Sequence, residues 1–299
     1  MKDMIVIGGG SAGLTAALYG ARAGKSVLLF EAESIGGQIT SAPVVENYPG
    51  APQISGIAFA DKLFEQVVDL GVEVALEKVT EILDNGDSKT VITEDGQYET
   101  QVVILATGSK PRPLGLPNET EWIGRGISYC AVCDGAFYKD QDVAIVGGGN
   151  AALCEALFLS SLCKTVSLIH RRDAFRADTA LVERAKSIPN IILITDTVVD
   201  ALIGDNDLQA LELRSVVSGK TSMLNVSALF VAIGHIPYSA PFINLVETDN
   251  DGYFIAGEDC ATGRAGIFVA GDCRKKSVRQ LTTAVADGAN AASFACGYS

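Results

Sequence analysis

Cys130-Ala131-Val132-Cys133-Asp134 holds the densest chemistry in this 299-residue chain. A Cys-x-x-Cys pair suits dithiol work. At a helix start the dipole favours a thiolate, and the second sulfur can close a disulfide on the first. Asp134 follows directly and suits proton exchange with a departing thiol, or a helix cap. Metal binding is the rival use of such a pair. Structural zinc takes four ligands, and beyond this pair there is no second Cys-x-x-Cys and only His170 and His235. Seven cysteines without scaffold spacing point to a reducing cytosol, where a structural disulfide is disfavoured. Cys154, Cys163, Cys260, Cys273 and Cys296 lack a near partner and read as small, mostly buried residues, with the exposure of Cys296 left open.

Two glycine turns flank the pair. The first follows the apolar strand Met4–Ile7 and reads Gly8-Gly9-Gly10-Ser11-Ala12-Gly13. A helical pattern (Leu14, Ala17, Leu18, Ala21) and a second strand, Ser26 to Phe30, come next and end at Glu31. Each part has a task in dinucleotide binding. Gly8 makes the turn, Gly10 admits a pyrophosphate to the backbone, and Gly13 lets helix and strand pack. The helix start faces the phosphates, and Glu31 can bond a ribose hydroxyl. A ligand-free glycine turn would not need the acid in register. The second turn, Gly147-Gly148-Gly149-Asn150-Ala151-Ala152, repeats the layout after the strand Asp142 to Val146. Glu31 stands 18 residues after Gly13, and His170 stands 18 after Ala152. Where the first unit places an acid, the second places His170-Arg171-Arg172, with Arg176 beyond. Guanidinium groups there suit a 2′-phosphate rather than a free 2′-hydroxyl. This asymmetry favours NADPH at the second turn and a nucleotide without that phosphate, such as FAD, at the first.

The organisation expected is α/β, with two Rossmann-like nucleotide-binding domains, each a three-layer ββα arrangement. Proline-rich stretches around Pro111, Pro113 and Pro117 and around Pro237 and Pro241 mark linkers. They predict an FAD domain in two parts, 1–113 and 242–299, into which an NADPH domain, 114–241, is inserted. Amphipathic spacing predicts a helix over 55–70, and further strands near 72–83, 89–93 and 97–106. Gly36-Gly37-Gln38 and Asn47-Tyr48-Pro49-Gly50 read as loops, and Ala106-Thr107-Gly108 closes a strand. Gly266 to Asp272 is a strand ending in an acid where parallel sheets bind ligands, and a small-residue helix over 282–295 follows. A net charge of −13 with no basic run argues against nucleic acid or anionic membrane as partner. No apolar run reaches the ~20 residues of a membrane helix, and the amino terminus enters a strand at once, which predicts no leader.

Taken in order, these motifs resemble the low-molecular-weight, bacterial-type thioredoxin reductases over the whole chain. The resemblance rests on the two glycine turns, Gly36-Gly37-Gln38, Asn47-Tyr48-Pro49-Gly50, Ala106-Thr107-Gly108, Cys130 to Gly135, His170-Arg171-Arg172 with Arg176, Ala232-Ile233-Gly234-His235, and Gly271-Asp272 with Arg279-Gln280. It implies FAD against Gly8, Gly10, Ser11, Ala12, Gly13, Glu31, Gly37, Gln38, Asn47, Thr107, Gly108, Gly271, Asp272, Arg279 and Gln280. It implies NADPH against Gly147, Gly149, Asn150, Ala151, His170, Arg171, Arg172 and Arg176, and no metal. Electrons would pass from NADPH through FAD to a Cys130/Cys133 disulfide. Cys133 would be the flavin-side sulfur, Cys130 the one that attacks thioredoxin, and Asp134 the proton donor. The family resemblance also implies a cytoplasmic homodimer and a rotation between domains. Ala136 departs from it, standing where many relatives carry a second phenylalanine before Phe137 and Tyr138. Arg125 matches a thioredoxin-contacting arginine of the family. Alternatives with the same fold are a reductase fed by ferredoxin or serving a peroxiredoxin-type partner, and, from another class, a redox sensor without turnover.

Overall fold

The computed structural model describes residues 1–42, 44–51 and 53–297. The chain forms two compact units: Met1–Lys110 with Ile236–Ser299, and Pro111–His235. In chain order, the first unit opens with β1 (Lys2–Ile7), α1 (Ser11–Arg22), β2 (Val27–Phe30) and α2 (Gly56–Asp69). It continues with β3 (Glu73–Ala75), β4 (Val79–Asp84), β5 (Lys89–Thr93), β6 (Gln97–Leu105) and β7 (Ser109–Pro111). The second unit holds β8 (Ile127–Ser128), α3 (Ala131–Asp134), β9 (Asp142–Gly147), α4 (Asn150–Ser160), β10 (Thr165–Ile169), α5 (Thr179–Lys186) and β11 (Ile191–Ile194). It closes with β12 (Thr197–Gly204), β13 (Leu208–Ser215), β14 (Thr221–Asn225) and β15 (Ala228–Ala232). The chain then runs through β16 (His235–Pro237), β17 (Ile267–Val269) and α6 (Leu281–Ala295). The two crossing segments, β7 and β16, pair with each other.

The sheet of the first unit runs β3-β2-β1-β6-β5-β4, with β17 also on β6. Its central strands are parallel and apolar on both faces, as strands covered from two sides must be. Side chains alternate along β1. Met4 and Val6 join Leu14, Ala17 and Ala291 in one core, while Ile5 and Ile7 join Phe30, Phe242 and Val269 in another. α1 and α6 pack closely because both are rich in small residues. A side-chain carbon at Gly288 would lie 2.2 Å from the Ala12 carbonyl oxygen. α2 is capped by Ser55, whose Oγ accepts the Ala58 N–H at 3.1 Å. The expected strand over 72–83 is two strands, β3 and β4, that join opposite ends of the sheet order.

In the second unit five parallel strands run β11-β10-β9-β15-β8. Val143, Ile145 and Leu168 pack under α4 and α5 with Leu153, Ala156 and Ala185. Ala144, Val146 and Ile169 face the other way, onto Leu208, Leu211 and Leu213 of the antiparallel sheet β12-β13-β14. That stacking gives the three layers, helix, parallel sheet and antiparallel sheet.

Candidate active site

Cys130 and Cys133 form a disulfide with Cα atoms 5.3 Å apart. β8 delivers the pair and α3 carries it. Cys130 caps α3, and its Sγ accepts the Cys133 N–H at 3.2 Å. Once the bond is cut, an amide is already aimed at Cys130 sulfur, which favours charge there rather than on Cys133. Ser128 ties the turn together. Its hydroxyl donates to Asp134 Oδ2 at 2.6 Å and accepts the Cys130 N–H at 3.1 Å. Burial raises the Asp134 carboxyl above the usual carboxylate range, and the Ser128 bond only partly offsets it. The acid expected beside the sulfurs is therefore held by the same hydroxyl that fixes Cys130. Tyr129, between them in sequence, donates its hydroxyl to Glu119 at 2.6 Å. The Glu119 carboxylate also accepts the Leu114 and Gly115 N–H groups, so it fastens the segment after the crossing to the redox turn. Val132 and Phe137 stand exposed on either side of Cys133 in the sequence.

Downstream in the same unit lies the second glycine turn. A Cβ on Gly147 would meet the Ala232 carbonyl oxygen at 2.4 Å, and one on Gly148 would strike the His170 ring at 2.1 Å. Packing inside the protein thus explains both. Gly149 is different: its φ is an ordinary −102° and no heavy atom lies within 4 Å of a built Cβ. Nothing in the protein demands a glycine there, yet α4 starts from it with no side-chain cap and no acid in its first turn. A group that approaches the bare amides closely, as a phosphate does, fits that vacancy of side chain and charge. Asn150 faces the neighbouring loop, where it bonds Asp178 twice, at 3.0 and 2.8 Å, and Ala151 is exposed beside it. Arg176 N donates to Gly148 O at 2.7 Å, which folds the arginine segment over the turn. Arg171, Arg172 and Arg176 are exposed and make no ion pair among the described residues. His170 is not with them at the surface. It is buried beneath Gly148 and stacked on Phe175 at 5.1 Å, and burial holds its imidazole below the usual value.

The other unit builds its turn on the same plan. Gly8 has φ 108°, and a Cβ on Gly13 would sit 1.8 Å from Gly8 O, so these two glycines serve the protein's own packing. Gly10, like Gly149, has ordinary backbone (φ −74°), and the nearest atom to a built Cβ is Gly36 O at 3.9 Å. α1 begins there with Ser11 and Ala12, again uncapped and without an acid. Glu31 lies under the turn: one oxygen accepts the Gly9 N–H at 2.6 Å and the other the Glu33 N–H at 2.7 Å. Of the other residues expected at this site, Gly37 and Gly271 approach the turn, and the rest bond to one another or to neighbouring segments. A Cβ on Gly37 would lie 3.2 Å from Gly10 Cα, and one on Gly271 would lie 2.7 Å from Ala12 Cβ. Gln38 donates to the Ser109 carbonyl, and Asn47 donates to Gln280 at 3.1 Å. Thr107 donates to Tyr238 O at 2.7 Å, and Gly108 O accepts the Tyr238 N–H at 3.1 Å. Arg279 lies 3.8 Å over the Tyr253 ring and donates to Asp272 O at 3.3 Å, while Asp272 pairs with Lys276 at 3.6 Å. Both turns thus start their helix from a glycine, Gly10 or Gly149, that the protein's own packing does not require.

Sequence reasoning missed Ser128, Glu119 and Glu155, none of which sits in a repeated motif. Of the lone cysteines, expected to be mostly buried, Cys163, Cys260 and Cys273 are buried, Cys154 is exposed, and Cys296, whose exposure the sequence left open, is half-buried. Cys154 shares a helix face with Asn150 and Ala151, both outward, which explains its position. Among the described residues no cluster of three His, Cys, Asp or Glu side chains is arranged to hold a metal. None of their helices is long and apolar enough to cross a membrane.

Known proteins agree with this geometry. The family model for pyridine nucleotide-disulphide oxidoreductases matches residues 2–288. A thioredoxin reductase of Treponema pallidum is 41% identical over 297 residues, covering 99% of this chain and 96% of the relative. One from Mycolicibacterium smegmatis is 41% identical, covering 96% and 93%. The crystal structure of the thioredoxin reductase from Streptococcus pyogenes superposes with a TM-score of 0.93 at 41% identity, covering 100% of this chain and 98% of that one. The chain belongs to the pyridine nucleotide-disulphide oxidoreductases and, within them, to the thioredoxin reductase family.

Proposed function

We propose that this protein reduces the disulfide of thioredoxin with NADPH as donor, through FAD and the Cys130–Cys133 pair. Pyridine nucleotide and flavin use follow from the family. In the finer reading, the unit of Met1–Lys110 with Ile236–Ser299 holds FAD and Pro111–His235 holds NADPH. The observation that carries it is one unit containing both a disulfide whose Cys130 sulfur already accepts an amide and an uncapped glycine turn, with three exposed arginines nearby in sequence that make no ion pair among the described residues. Arg171, Arg172 and Arg176 supply the planar forks that a 2′-phosphate takes. Gly10, Ser11 and Ala12 at the start of α1, with Gln38, Asn47, Asp272 and Arg279-Gln280, would hold the flavin nucleotide. When bound, the flavin supplies the two-electron relay between nicotinamide and disulfide.

The chain's own residues do the rest. The Cys133 amide holds Cys130 sulfur as the attacking thiolate. Cys133 resolves the mixed disulfide with the substrate. Asp134, whose carboxyl burial raises and which Ser128 orients, moves a proton at the Cys133 sulfur. The protein is taken to act as a cytoplasmic homodimer, a reading supported by the family resemblance. The deciding experiment follows NADPH oxidation with oxidised thioredoxin as acceptor. Wild type should turn over many times and prefer NADPH to NADH. Cys130→Ser should still bleach its flavin on addition of NADPH but reduce no thioredoxin. A Cys130→Ser enzyme that turns over thioredoxin would overturn the sulfur assignment.

A further inference from the structure

α4 carries one carboxylate, Glu155, in an otherwise apolar run with Leu153, Ala156 and Leu159 buried around it. The helix packs against α3, the short helix of the disulfide. Glu155 interacts there with the backbone amide of Ala131, the residue after Cys130. Its other oxygen, Oε2, is buried with no hydrogen-bond partner. An apolar side chain at this place would cost less, so the carboxylate needs a reason beyond packing. The ionisable groups on elements packed against α4 are Cys133 and Asp134 on α3, Asp142 on β9, and Glu183, Arg184 and Lys186 on α5. None of them forms a hydrogen bond or ion pair with Glu155, and its only ionisable neighbour on α4 is Cys154. Two acceptors thus share the amide end of α3: Cys130 Sγ, bonded to the Cys133 N–H, and the Glu155 carboxylate at the Ala131 N–H.

We propose that Glu155 is a positioning residue of the redox centre, which holds the turn behind Cys130 and couples reduction of the Cys130–Cys133 disulfide to its own protonation. The inference rests on the redox reading given above. Reduction brings two electrons from the flavin, the S–S bond breaks, and one electron pair remains on each sulfur. Cys133 sulfur takes a proton through Asp134, and Cys130 sulfur stays charged. That new charge opposes an ionised Glu155 at the same amide end, so Glu155 takes a second proton from solvent. Burial already pushes its carboxyl up to about 7, which puts the exchange in the working range of pH.

The test equilibrates holoenzyme with reduced and oxidised dithiothreitol between about pH 6 and pH 8.5 and counts Cys130 and Cys133 thiols by alkylation and mass spectrometry. Glu155→Gln keeps an acceptor for the Ala131 amide but cannot ionise. Its reduction constant should match wild type at the acid end and exceed it about tenfold at the alkaline end, one unit of proton linkage. A Gln-to-wild-type ratio that is flat across pH would overturn the coupling. Glu155→Ala removes the acceptor as well, and should lower kcat for thioredoxin at the acid end, where Glu155→Gln keeps it. Equal kcat in all three there would overturn the positioning role, and if the Ala variant fails to fold, the Gln series alone decides the coupling. A wild-type pair that yields no thiols at any dithiothreitol ratio would instead bring down the redox reading itself.

Discussion

Asp134 and Cys130 share one hydroxyl, that of Ser128, and this sharing is the centre of the chemistry at the residue scale. Burial raises the Asp134 carboxyl, so its proton is present at low pH and is lost as pH rises through the raised value. Asp134→Asn should lower thioredoxin turnover about 10²-fold and remove the fall of kcat that follows loss of the Asp134 proton, measured as a pH–rate profile. Exchanging Arg171, Arg172 and Arg176 together for Gln should raise KM for NADPH at least ~100-fold and leave NADH little changed, read from initial rates with both donors. Glu155 also acts on stability. Its folded value, near 7, exceeds that of an unfolded glutamate, so its contribution is full below the unfolded value and is lost as pH climbs to about 7. Glu155→Gln should therefore stabilise the protein at pH 8 by on the order of 2 kcal/mol relative to its effect at pH 5, measured by urea unfolding. The sulfurs, Asp134 and the arginines were legible in the sequence because their chemistry lies in adjacent positions. Glu155, Ser128 and Glu119 were not, since only folding turns them toward the disulfide turn. The one clue to Glu155 was a single carboxylate in the run Ala151–Leu159.

Each glycine turn contains two kinds of glycine, and at the scale of elements the difference is measurable. Gly13 is occupied by the protein itself: a Cβ there would be 1.8 Å from Gly8 O, forcing α1 off β1. Gly10 meets nothing nearer than 3.9 Å. Gly13→Ala should lower the melting temperature by several degrees, with ~2 kcal/mol or more lost to strain. Gly10→Ala should melt with the wild-type apoprotein but retain little flavin, read from the absorbance of the purified protein. Strand, turn, helix and strand were legible here because continuous apolar strands and helical spacing differ in period. The antiparallel sheet β12-β13-β14 was not, since its strands bury one face only and carry exposed residues such as Met223 and Val217 nearby. The division of 72–83 into β3 and β4 also escaped a reading by apolarity, which registers extended backbone but not where the chain leaves one strand for another.

For the whole molecule, the two units differ in how they use the chain. Pro111–His235 is continuous and has its own parallel sheet and two cores. Cut out as a fragment, it should unfold cooperatively in urea and still close its disulfide, with no flavin colour. Loss of a cooperative transition would show that it leans on the rest of the chain. The other unit is split, and β6 shows the cost. The first half of this strand pairs with β5 on one edge, and the second half waits on that edge for β17, some 160 residues later in the sequence. On the ribosome, the amino-terminal sheet therefore emerges with an open seam and stays so while the whole middle unit is made. The last strand to leave the tunnel closes that seam, so the split unit is completed only after the middle unit has been made, and nascent chains halted before Ile267 should be the ones that chaperones hold.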